Sequence, residues 1–369
     1  MKIEKVEIRR VEMPLVGYFE TSFGREDIRH AVIVGVHGEG LDGYGEAPVM
    51  EYPGYSYETV GTAWHVIKEY FAPMVMKKAW ETPKELADAL EFYKGHPMAK
   101  CGLEGAVWDL YGRQQGKSLA ELIGSVKKKV PTGVSIGIQK DVKTLLDLIA
   151  GYLEEGYQRI KVKIKPGWDI KVLQEIRKNY PRIMLMADAN SAYKLEDTPL
   201  FLEMEPLDLM MIEQPLEHDD IIDHAELQKQ LRTPICLDES ILNPEDARKA
   251  HSLGSCRIIN IKVGRVGGLT RTIKLHDICQ NLGIPVWCGG MLETGIGRAQ
   301  NLAIAAMSNF TIPGDTSASK RYYHEDIVDE PAVLNPDGTI DVPTRPGNGV
   351  NVVTGLLDKY TTYKEVICV

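Results

Sequence analysis

The stretch Arg159 to Lys165 (RIKVKIK) opens a series: LMADAN (185–190), MMIEQP (210–215), ICLDES (235–240) and IINIKVG (258–264). Each is a short apolar, strand-like run that ends in, or just before, a charged residue. Lys163, Asp188, Glu213 and Asp238 follow one another at intervals of 25 residues, and Lys262 comes 24 later. Such a period, with helical patterning between the runs, is that of βαβ units on a parallel sheet. In a barrel of such units the reactive groups come from the C-terminal ends of different strands. The spacing therefore predicts that these five side chains meet at one mouth.

Extended outward, the pattern predicts eight strands: 130–138, 159–164, 183–188, 209–213, 235–238, 257–262, 285–289 and 310–314. About 190 residues is compact beside the roughly 250 usual for a (β/α)8 barrel, which implies a short or missing last helix. Before it, Lys2 to Glu12 and His30 to His37 alternate like antiparallel strands, with a turn at Gly38-Glu39-Gly40. Thr59 to Tyr70 and Lys100 to Tyr111 carry helical periodicity. The tail from Ile327, Leu334 to Ile340 included, is strand-like again and is expected to pack back on the N-terminal part. The expected division is an α+β capping domain over 1–125, completed by about 325–369, and a barrel over 126–324.

The 369 residues are 44% hydrophobic and 26% charged, with no apolar run long enough to span a membrane and no cleavable signal, so a cytoplasmic protein is expected. A net charge of −9, and no basic run beyond Lys127 to Lys129, argue against nucleic acid and anionic membranes as partners. The six cysteines are scattered without a CxxC pair and are expected to be reduced and mostly buried.

A charge at the end of an apolar strand is costly unless partnered. The partners expected here are the other charges of the series and a cation. Asp188, Glu213 and Asp238, with no histidine or cysteine nearby, make a hard oxygen set suited to Mg2+ or Mn2+. Asn190 is expected behind them, hydrogen-bonding a ligand carboxylate. Strand alternation puts Lys161 and Lys163 on one face, and Lys262 is expected to face Lys163 across a bound small-molecule carboxylate. A carbon acid beside a carboxylate needs its developing charge stabilised, and the lysine base needs its pKa brought toward about 7–8.

The motifs resemble the enolase superfamily, muconate-lactonising subgroup, with its lysine-x-lysine, three strand-end carboxylates and a further lysine. Within it FETSFG (19–24), RIKVKIKPGWD (159–169), ADANSAY (187–193), IEQPL (212–216), CLDES (236–240), VWCGGMLETGIGRAQN (286–301) and PGDTSAS (313–319) are similar to the o-succinylbenzoate synthase / N-succinylamino acid racemase family. The resemblance implies a (β/α)7β (TIM-like) barrel under an α+β cap, Mg2+ at Asp188, Glu213 and Asp238, Lys163 and Lys262 as acid and base, and Lys161 as electrostatic helper. It also implies closure by the 19–24 and Tyr52–Tyr57 loops, substrate contacts from Ser135, Tyr55, Met291, Glu293 and Thr294, and a homo-oligomer. A dipeptide epimerase or muconate cycloisomerase would use the same lysines and carboxylates. A Schiff-base aldolase with Lys262 as nucleophile would leave the carboxylates unexplained, and a barrel kept only for binding is the non-catalytic alternative.

Overall fold

The computed structural model describes residues 1–368. Its N-terminal segment alternates apolar and polar residues and forms β1 (Lys5–Thr21), β2 (Gly24–Gly38) and β3 (Leu41–Ala47), turned at Glu39-Gly40, where both residues have positive φ. The buried face of this antiparallel meander carries Ile8, Val32, Val34 and Val36 and packs on the helix Pro97–Gln115. Close packing there needs residues without side chains. A Cβ on Gly45 of β3 would run into the Gly102 carbonyl and the Ala106 amide of that helix. This makes the strand-helix contact backbone to backbone.

From Lys129 onward the chain alternates strand and helix. β4 (Lys129–Pro131) precedes a curled parallel sheet of seven strands. These are β5 (Gly133–Ile136), β6 (Arg159–Lys163), β7 (Met184–Asp188), β8 (Ile212–Glu213), β9 (Ile235–Leu237), β10 (Ile258–Ile261) and β11 (Val286–Cys288). Each pairs with the next in sequence order. Alternation sends one residue in two to the concave side, where Met186, Met211, Cys236, Ile258 and Trp287 form a buried apolar floor. The other face packs beneath the helices in the largest core of the molecule.

Two expected strands differ. The run 130–138 is split: β4 pairs antiparallel with β12 (Thr339–Asp341), and only Gly133–Ile136 enters the parallel sheet. Pro131 lacks an amide proton, so the ladder cannot run through it. β12 also takes the tail around Ile340 to the entry of the parallel sheet rather than to the N-terminal sheet. The run 310–314 forms single bridges instead of a ladder, Phe310 to Val286 on one side and Gly314 to Thr132 on the other. It therefore touches both ends of the parallel sheet. The last strand, β13 (Thr361–Cys368), pairs antiparallel with β1, giving the sheet order β13-β1-β2-β3.

All six cysteines are free thiols, and Cys368 alone of them is exposed. Among the described residues no helix is long and apolar enough to cross a membrane.

Two glycines give opposite expectations. Gly45→Val should lower the unfolding free energy by about 3 kcal/mol or more, because neither backbone in that contact can retreat. Gly151 lies mid-helix in Val142–Glu155 with nothing within 4 Å of an added Cβ, so Gly151→Ala should raise it by about 0.5–1 kcal/mol. Urea midpoints of the two variants measure both.

Candidate active site

The parallel register converts sequence spacing into contact. Lys163 on β6 stands opposite Asp188 on β7, and Asp188 opposite Glu213 on β8. Glu213 is level with Cys236, so Asp238, two residues on, projects to the same side. Lys262 follows β10 directly. The three carboxylates are fully buried and the three lysines nearly so.

Lys161 Nζ lies 2.7 Å from Asp315, 3.1 Å from Glu213 and 3.2 Å from Asp188, with the Trp287 ring 4.9 Å away. Burial works against its charge, but those three carboxylates outweigh burial and hold its pKa well above the usual lysine value. Lys163 Nζ donates to Asp188 Oδ2 and to Asn190 Oδ1, each at 2.6 Å. For this lysine burial wins: it lowers the pKa against the pull of Asp188, and Lys161 adds to the lowering. Two lysines one pleat apart are thus pushed in opposite directions, which fits one as fixed charge and one as proton carrier.

Lys262 Nζ donates to Asp238 Oδ2 at 2.8 Å and to the Tyr55 hydroxyl at 3.1 Å. Tyr55 comes from the loop before the first cap helix. Its hydroxyl also donates to Asp238 at 3.3 Å, and Arg265 forms an ion pair with the same carboxylate. Asn190 has φ of 41° and Gln214 φ of 36°, both in the left-handed region just past the strand-end carboxylates. Asparagine tolerates that conformation best, and there its amide bonds Lys163 on one side and Glu239 on the other. The Ser22 hydroxyl donates to the Asn190 carbonyl and ties the 19–24 loop to this turn.

These groups border a cavity between the two sheets. Lys161, Lys163, Lys262, Asn190 and Asp315 give it a polar wall, and Phe19, Phe23, Met50, Met291 and Leu292 an apolar one. Of the residues expected at the substrate, Ser135, Tyr55 and Met291 line it, and the Ser135 hydroxyl is buried without a partner. Glu293 and Thr294 do not. The Glu293 carboxylate accepts from the Met291 amide, and Thr294 caps the helix Gly295–Ala305 while its hydroxyl donates to Glu46 at 2.6 Å. Both are spent on holding the loop's shape.

Asp315, in PGDTSAS, joins the site through Lys161 and lies outside the series of strand-end charges. It falls 27 residues after Cys288, close to the period of the series, and that was the available signal. Glu46 carries no such signal, because its partners Thr294 and Gly297 lie across the interface between the two sheets, and Arg29, hydrogen-bonded to nothing among the described residues, carries none either.

For a metal, the donor chemistry fits a hard dication. Asp188, Glu213 and Asp238 offer oxygen donors on neighbouring strand ends, and Glu239 Oε2 and Asn260 Oδ1 beside them are buried without hydrogen-bond partners. Among the described residues no three acidic, imidazole or thiol groups close on a common point. The carboxylates bond the flanking lysines and Arg265.

A curled parallel sheet, a strand-end set of lysines and carboxylates, and an antiparallel cap laid over it define a class of enzyme. The family model "Mandelate racemase / muconate lactonizing enzyme, N-terminal domain" matches residues 3–124, and "Enolase C-terminal domain-like" matches 144–355. The chain belongs to the mandelate racemase / muconate lactonizing enzyme family of the enolase superfamily. Proton abstraction assisted by a divalent metal, typically Mg2+, is the mechanism of that family. More narrowly, the chain is 48% identical over 367 residues to the o-succinylbenzoate synthase of Geobacillus kaustophilus, covering 99% of this chain and 98% of that one. It is 47% identical over 365 residues to the N-succinylamino acid racemase of Amycolatopsis sp, covering 99% of each. The crystal structure of an enolase superfamily member from Listeria innocua has a TM-score of 0.96 at 44% identity, covering 100% of this chain and 99% of that one. The resemblance read from the motifs holds.

Glu46 makes a pH test of the joint between the sheets. It accepts from the Thr294 amide and hydroxyl and from the Gly297 amide, yet burial, reinforced by the charge of Glu293, pushes its pKa up from 4.5 to about 7. The folded state then holds a proton that the unfolded state has released, so this residue's contribution to stability falls as pH rises from about 4.5 to about 7. Glu46→Gln should flatten the decline of Tm across that window.

Proposed function

We propose that this protein removes a proton α to a carboxylate, as an o-succinylbenzoate synthase, an N-succinylamino acid racemase, or both. The observation that carries the reading is the placing of Lys163 and Lys262 four strands apart on the wall of one cavity, each hydrogen-bonded to a strand-end carboxylate. The relatives named above carry these two activities, and the same residues serve either.

Lys163 takes the α-proton, since it is the lysine whose charge is least supported. Lys161, fixed among Asp315, Glu213 and Asp188, supplies a constant positive charge beside it. In a racemase Lys262 delivers a proton to the opposite face of the α-carbon, and the two lysines exchange roles in the reverse direction. In the synthase Lys163 returns its proton to the departing hydroxyl, which leaves as water, and Lys262 balances charge. Asp188, Glu213 and Asp238 would hold a divalent cation of the Mg2+ kind, whose charge would make the carbon beside the substrate carboxylate more acidic. Asn190 orients Lys163, and Tyr55 orients Lys262 and covers it from water.

We take 126–324 as the catalytic (β/α)7β barrel, with the 310–314 segment closing the parallel sheet, and 1–125 with about 325–369 as its cap.

Incubation with Mg2+ and N-succinyl-L-phenylalanine in D2O, followed by NMR and optical rotation, tests this, with the o-succinylbenzoate precursor assayed in parallel. EDTA should abolish exchange of the α-proton, and Lys163→Ala should lower it by about 10²–10⁴-fold, the usual worth of a positioned acid-base group. Exchange that persists in Lys163→Ala would show the base to be another group.

A further inference from the structure

Arg29 on β2 lines the same cavity, yet the mechanism above makes no use of it. Its side chain is 3% exposed and, among the described residues, makes no hydrogen bond, with Nε and Nη2 buried and unpartnered. The nearest carboxylate, on Glu26, stands 3.9 Å away, beyond hydrogen-bond reach. Other buried arginines are engaged. Arg159 bonds Asp315 and the Pro313 carbonyl, Arg265 bonds the carbonyls of Ile241 and Asn260, and Arg298 bonds those of Ser317 and Glu293. A guanidinium cannot shed its charge by losing a proton, so burial without a partner is unfavourable. Its five donors, set in a planar fork, fit a carboxylate.

We propose that Arg29 binds a second carboxylate of the substrate, the one remote from the reacting carbon. The lysines enter the cavity from the parallel sheet and Arg29 from the cap, with Phe19, Met50, Met291 and Leu292 in the wall. A ligand suited to this space has a carboxylate at each end and an apolar middle. The inference rests on the proposed function, because the N-succinyl amino acids and the o-succinylbenzoate precursor both carry such a remote carboxylate. It assigns that group to one residue. It also makes the cavity unfavourable for an unmodified dipeptide, whose ammonium would meet the Arg29 charge.

Calorimetric titration of N-succinyl-L-phenylalanine and N-acetyl-L-phenylalanine in the presence of Mg2+ tests this without turnover. The wild type should bind the succinyl compound roughly 10- to 100-fold more tightly, the effect of hydrogen bonds between charged groups. Arg29→Gln should erase that preference and leave acetyl binding unchanged, and Arg29→Lys should keep part of it. In kinetics the loss should fall on KM for the succinyl compound, with kcat largely kept. The proposal is overturned if the wild type binds the two compounds equally, or if Arg29→Gln weakens both alike. Should Arg29→Gln not fold, the wild-type ratio and Arg29→Lys still decide. A preference that persists without any α-proton exchange would support the Arg29 subsite while removing the lysine chemistry.

Discussion

Lys161 is the charge around which the site is assembled. Its three carboxylates come from β7, from β8 and from the segment after Phe310, so one ammonium joins parts of the chain more than 120 residues apart. None of the four groups is exposed to water, and each would be a serious defect if left unpaired. A one-residue slip of β6 would turn Lys161 and Lys163 into the helix layer and orphan all of them. The register of the parallel sheet and the charge balance of the site are one constraint.

That constraint also decides where strain is held. Past the strand-end carboxylates the chain turns at once, with Asn190, Ser191 and Gln214 at positive φ. Such residues persist only where their surroundings over-determine them. Here the Asn190 amide is fixed between Lys163 and Glu239, and the Gln214 amide carbonyl accepts from the Asp238 and Ser240 amides. The lysine geometry is therefore set by turns that are themselves locked, which suits groups that must meet a substrate without rearranging.

What could be read in the sequence was what repeats. Parallel strands in matched register place equivalent residues at equal intervals, so the five members of the series were legible as one site before any contact was known. Alternation likewise exposed the N-terminal strands and the Glu39-Gly40 turn. The unread parts are single long-range contacts with no periodic trace. Nothing local in LNPDGTI tells that Ile340 pairs beside Val130, and the apolar run at 310–314 looks like any buried strand although it makes only bridges. Glu293 and Thr294 stand off the cavity for a related reason: a loop that borders a cavity needs some polar groups merely to keep its own shape. Arg29 has no periodic trace either, since 132 residues of sequence separate it from Lys161 although the two line one cavity.

The pairing of β13 with β1 has a consequence for how the protein folds. Lys5 lies opposite Cys368, so the sheet that bears Arg29 and the 19–24 segment is closed by a contact between residues more than 360 positions apart. The entropic penalty for joining such distant ends grows only with the logarithm of their separation, but contacts of this span form slowly. The parallel sheet, whose pairings are all between successive strands, can assemble ahead of it. The lysines and carboxylates can thus be gathered on one sheet before the sheet that carries Arg29 has its outer strand.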